Sequence, residues 1–127
     1  MSYEETLREI EQTFGFVPDF FKNTPKDVMT QMWPVFRKYQ LGQSIIPPKY
    51  REMMMLASSA AAKCPYCELY HREVSKMLGA TEEELAELAV LVASTGFWSS
   101  VLHTMHYDKA KFADELKRAG EYMAKKQ

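Results

Sequence analysis

Two cysteines three positions apart, Cys64 and Cys67, are the only cysteines in the chain. A disulfide-stapled secreted domain would carry more, at wider spacing. In a reducing compartment such a pair acts as a redox dithiol or a metal ligand. The thiolate is the reactive form of cysteine. Placing Cys64 at a helix N-cap and Pro65 at the first helical position puts Cys67 inside the first turn. Free N–H groups and the helix dipole favour negative charge there. His71 follows Cys67 by four residues, on the same helix face, where an imidazole can take or return the thiol proton. Glu52 sits twelve residues before Cys64, in an otherwise apolar segment. If its helix packs against the dithiol helix, Glu52 can orient or deprotonate His71. The alternative is a solvent-facing Glu beside Arg51.

The other chemistry-bearing residues have plainer readings. His103 and His106 lie on the last predicted helix, where a histidine is more often surface or satisfied core than catalytic. A zinc site from Cys64, Cys67, His71 and one of these histidines is possible in residue type. The gap between the pairs is long for a compact finger, and the two-residue His spacing is unusual. A haem attachment motif needs His directly after the second Cys, and the residue there is Glu68. A thioredoxin-like reading needs a βαβ pattern, which is absent. The run Met53, Met54 and Met55 reads as adaptable core filler, and Trp33 and Trp98 as core anchors.

The elements that must position the dithiol read as helices. No segment alternates apolar and polar residues as a strand would. The spacing predicts a first helix over residues 2–13, ended by Gly15 and Pro18, with Phe20 and Phe21 plugging apolar surface. A second spans 25–41, capped by Thr24 and interrupted or kinked at Pro34. A strongly apolar, buried helix follows over 48–62, and the dithiol helix runs from Pro65 to about Leu78, stopped by Gly79. Thr81 with Glu84 forms a capping box before a helix over 82–94. Gly96 then separates a last segment, 97–124.

Composition bounds the rest. The 127 residues, 14.7 kDa, include 46% hydrophobic and 26% charged residues, the balance of one globular domain covering residues 1–127. Sixteen Lys and Arg against seventeen Asp and Glu give a net charge of −1, without the basic excess a nucleic-acid partner would call for. The uninterrupted apolar runs are short for a membrane span, and the acidic N-terminal stretch does not resemble a secretory signal. The expected setting is the cytoplasm.

The run Glu52-x11-Cys64-x2-Cys67-x3-His71 resembles the signature of the alkylhydroperoxidase D-like branch of the carboxymuconolactone decarboxylase superfamily. Residues 15–18, followed by Phe20 and Phe21, resemble that family's N-terminal segment, and residues 47–71 its core helix pair. The resemblance implies an all-α fold and assembly as a homotrimer or homohexamer. It implies reduction of hydroperoxides by a dithiol that an external lipoyl-type or thioredoxin-like dithiol regenerates, with no cofactor. Carried over, Cys67 is the peroxide-attacking cysteine, Cys64 its resolving partner, and Glu52 and His71 the proton relay. Tyr66 stands where well-studied members carry a second histidine, and a phenol is no base near neutral pH. The decarboxylase branch lacks the dithiol. Thiol–disulfide exchange with a protein or small-molecule disulfide is the second reading, and a metal-binding or redox-sensing module the third.

Overall fold

The computed structural model describes residues 1–126. They contain seven α-helices and no strand among the described residues. The coordinates fall into two compact units, residues 1–81 and residues 82–127.

In the first unit, α1 (Tyr3–Phe14) starts at a capping box. The Ser2 hydroxyl accepts the Glu5 N–H, and the Glu5 carboxylate accepts the Ser2 N–H. It ends at Gly15, whose φ of 83° is open to glycine without strain. The short α2 (Asp19–Lys22) follows, then α3 (Lys26–Phe36). Ile10, Met29 and Trp33 are buried together, with Leu7, Phe14, Phe21 and Phe36 packed around them. Phe21 is thus part of the plug expected of this segment, whereas Phe20 is exposed. The Trp33 indole N–H donates to Glu9 at 2.9 Å, and Arg37 donates to the same oxygen at 2.6 Å. A buried indole keeps its partner in this way.

Several boundaries differ from the sequence reading. Pro25, not Thr24, occupies the N-cap of α3. The Thr24 hydroxyl instead donates back to the Phe20 carbonyl. Pro34 lies inside α3, and the chain continues into a π-helical turn, Arg37–Leu41. A proline without an N–H loosens the ladder around it.

The π turn and the following connection are tied to α4 (Pro48–Ala62) by Arg51, which donates to Ser44 Oγ at 2.6 Å and to the Gln40 carbonyl at 3.1 Å. The buried residues of α4 are Arg51, Glu52, Leu56 and Ser59, so its inner face is more polar than an apolar core helix would be. Met54 is exposed, and Met53 and Met55 are only partly covered. The chain reverses at Lys63 and continues as α5 (Pro65–Met77), packed along α4. Gly79, at φ 97°, follows α5 as expected.

The second unit holds α6 (Glu82–Thr104) and α7 (Lys109–Lys125). Gly96 does not break α6. A lone helical glycine costs about 1 kcal/mol, less than the surrounding helix-formers supply. The stop comes instead at His106, in the left-handed region at φ 51°, with Asp108 capping α7. As one unbroken helix, α6 is long and apolar enough by length and composition to cross a membrane, contrary to the estimate from shorter runs. Trp98 is 57% exposed rather than a core anchor.

Replacing Arg51 with Met keeps the apolar stem but deletes two charge-assisted hydrogen bonds, a loss on the order of 2 kcal/mol. Limited proteolysis should then cut faster within residues 42–47 while helical circular dichroism stays intact. An unchanged cleavage rate would show that Arg51 does not hold this connection.

Candidate active site

The site is built on the α4–α5 hairpin. At the corner, the Lys63 N–H donates to the Ala60 carbonyl at 3.2 Å and the Cys64 N–H to the Ser59 carbonyl at 3.0 Å, and Lys63 adopts the left-handed conformation, φ 56° and ψ 44°. This tight reversal leaves Cys64 extended at the N-cap of α5 with Pro65 at N1, as the sequence predicts. Cys64 Sγ accepts the Cys67 N–H at 3.2 Å, so sulfur fills the role usually taken by a hydroxyl or carboxylate oxygen. Both thiols are free; Cys64 is half-buried and Cys67 exposed.

One turn further along α5, His71 is 9% exposed, and Glu52 faces it from α4 at 0%. His71 Nδ1 and Glu52 Oε2 are 2.7 Å apart. Full burial removes the solvent-facing alternative for Glu52. A carboxylate in that position fixes the ring orientation and leaves Nε2 as the nitrogen able to serve a thiol. Tyr70 lies beside the pair, its ring 5.0 Å from that of His71. Burial first, and the Glu52 charge second, hold its phenol proton on beyond the usual range.

The two thiols are unequal in their electrostatics. The Cys67 thiol, and then its N–H, donate to Cys64, so the Cys64 thiol titrates below the ordinary cysteine range. Cys67 is pushed up, first by giving its proton to Cys64, then by burial and by the Cys64 charge. The stabilised thiolate is therefore Cys64. The largest of these contacts is the Cys67 thiol on the Cys64 sulfur, with the capping N–H second.

His103 and His106 belong to the second unit. His103 Nδ1 lies 2.7 Å from the Ser99 carbonyl at the end of α6, and His106 forms the turn after it. Among the described residues no three His, Cys, Asp or Glu side chains converge as a metal site. Sequence reasoning missed the buried hydroxyls of Ser59 and Ser75. Ser75 continues the spacing of Cys64, Cys67 and His71 by four residues, and a small polar residue on that stripe was the available signal.

The sequence profile of the carboxymuconolactone decarboxylase family matches residues 29–110, from α3 across the whole dithiol hairpin into α7. The chain belongs to the carboxymuconolactone decarboxylase family. Its fold is similar to the crystal structure of the alkylhydroperoxidase AhpD core from Rhodospirillum rubrum. The TM-score is 0.72 at 21% identity, over 87% of this chain and 85% of that one. The chain is thus an AhpD-like member of the family in fold. No curated protein sequence matches it significantly.

The shared proton between the sulfurs is directly measurable. Thiolate absorbance of the reduced protein should rise first for Cys64, at a pH below the ordinary thiol range, and for Cys67 only above it. Cys67→Ala should move the Cys64 midpoint up, because its main donor is gone. Cys64→Ser should move the Cys67 midpoint down towards an ordinary thiol. Single-variant midpoints unchanged from those of the reduced parent would contradict the arrangement.

Proposed function

We propose that the protein is a dithiol peroxidase: it reduces hydroperoxides through Cys64 and Cys67, with Glu52 and His71 moving the protons. The observation that carries this reading is a fully buried carboxylate bonded to a histidine one turn below a helix-capping dithiol. A structural protein gains little from burying such a pair, whereas a site that handles thiol protons needs it.

The geometry supports the following cycle. In the reduced state Cys64 is the thiolate, and His71, steadied by Glu52, carries the proton it has lost. Cys64 sulfur attacks the distal oxygen of the hydroperoxide and the O–O bond breaks. The alkoxide takes the proton from His71 and leaves as an alcohol, with Cys64 now a sulfenic acid. Neutral His71 next accepts the Cys67 proton. The Cys67 thiolate attacks Cys64 sulfur, the S–O bond breaks, and hydroxide leaves as water with the proton from His71. One hydroperoxide and two thiols thus become an alcohol, water and a disulfide. An external dithiol, lipoyl-type or thioredoxin-like, restores the pair by exchange. A reducing, cytoplasmic setting suits this cycle.

A second reading, thiol–disulfide exchange on a larger partner, is favoured by the openness of the motif. Tyr66 between the cysteines is 86% exposed, and Cys67 is open to solvent.

We also propose that the working form is a homotrimer or a multiple of it. Val90, Leu91, Phe97 and Trp98 of α6 are exposed. An apolar helix face of this kind is covered in solution by another protein surface, and a further copy of the chain is the proposed cover.

Stopped-flow mixing of reduced protein with cumene hydroperoxide should consume two thiols per peroxide. Glu52→Gln should slow this by on the order of 10²-fold without loss of helicity. Oxidation by disulfides alone would select the second reading. Light scattering should give three times 14.7 kDa or a multiple, and a single-chain mass would refute the assembly.

A further inference from the structure

Three buried polar atoms of the α4–α5 hairpin have no hydrogen-bond partner: Arg51 Nε and, on two fully buried residues, the second oxygen of Glu52, Oε1, and the hydroxyl of Ser75. Both residues are at 0% exposure. A buried acceptor left unpaired costs about 1–3 kcal/mol, and a buried carboxylate oxygen more. The two groups are complementary, since a hydroxyl donates and a carboxylate only accepts.

Their levels along the hairpin coincide. Glu52 is eleven residues before the Lys63 corner and Ser75 twelve after it. At about 1.5 Å per residue both lie about 17–18 Å from the turn. Both are buried where α4 packs on α5, and the Glu52 carboxylate reaches α5 at His71. Ser75 is also one turn from His71 on the α5 face that meets α4, as His71 is one turn from Cys67. Its hydroxyl is not spent on the backbone carbonyl four residues earlier, the usual local sink for a helical serine.

We propose that Ser75 is a positioning residue for the dithiol centre: its hydroxyl serves Glu52 Oε1 through one water and holds the carboxylate in the orientation that fixes His71. The proposal rests on reading Glu52 and His71 as the proton relay. It extends that relay by one residue. With both carboxylate oxygens engaged, the Glu52 side chain has one orientation to offer the imidazole. The other titratable side chain in contact with the pair is Tyr70 on α5.

The test uses His71 itself as the reporter. The full chain is prepared with both cysteines changed to serine, so that no thiol chemistry intervenes, and the His71 ring is titrated by NMR. Ser75→Ala should raise the His71 midpoint by about half a pH unit or more. A carboxylate that loses a donor is more basic and holds the imidazolium more strongly. In a Glu52→Gln background the same Ser75→Ala change should leave the midpoint where it was. An unmoved midpoint in the parent background, or an equal shift in both backgrounds, would overturn the proposal. So would a gain in thermal stability with no shift, the signature of a hydroxyl that serves nothing. Because these proteins lack thiols, the outcome is independent of whether the native dithiol consumes peroxide.

Discussion

The contact between His71 Nδ1 and Glu52 Oε2, 2.7 Å across the α4–α5 hairpin, constrains everything around it. A carboxylate shut away from water costs several kcal/mol unless it is hydrogen-bonded. The hairpin therefore tolerates Glu52 only in the helix register and rotation that bring His71 opposite. The corner enforces that register. Lys63 takes a left-handed conformation that costs an ordinary side chain about 1–2 kcal/mol, and Pro65 starts α5 at once. A longer or looser turn would let α5 slide and would strand a buried charge.

The same corner sets the inequality of the thiols. An N-cap group receives the N–H of the third helical residue, and here that residue is Cys67. Backbone geometry alone thus aims a donor at Cys64, and the Cys67 thiol adds another. The helix that displays the dithiol also sorts it, with negative charge at the cap and the proton on the first turn. In the proposed cycle His71 is then available to clear protons.

Much of this was legible in the chain. The Cys64, Pro65 and Gly79 signals placed α5, and Pro48 with the apolar run placed α4, because caps and helix starts are local events. The spacing of Glu52, Cys64, Cys67 and His71 named the groups that the hairpin gathers or, for the cysteines, displays. Less legible was whatever depends on contacts distant in sequence. The polar inner face of α4 is visible only once α5 lies against it. Ser75 has no meaning until Glu52 stands opposite. The continuity of α6 through Gly96 depends on the summed preference of its neighbours, which outweighs one glycine. The thiol polarity depends on the Cys67 thiol and amide both meeting the Cys64 sulfur, which spacing along the helix face does not reveal.

The central claim is that Cys64 is the sulfur that meets the peroxide, and the most direct measurement is to catch it there. Cys67→Ser protein, treated with one equivalent of cumene hydroperoxide and then dimedone, should carry the adduct on Cys64 by peptide mass spectrometry. The Cys64→Ser protein should react only at the rate of an ordinary thiol. A rapid adduct on Cys67 in the second protein, with the first inert, would contradict the account and return the attacking role to Cys67.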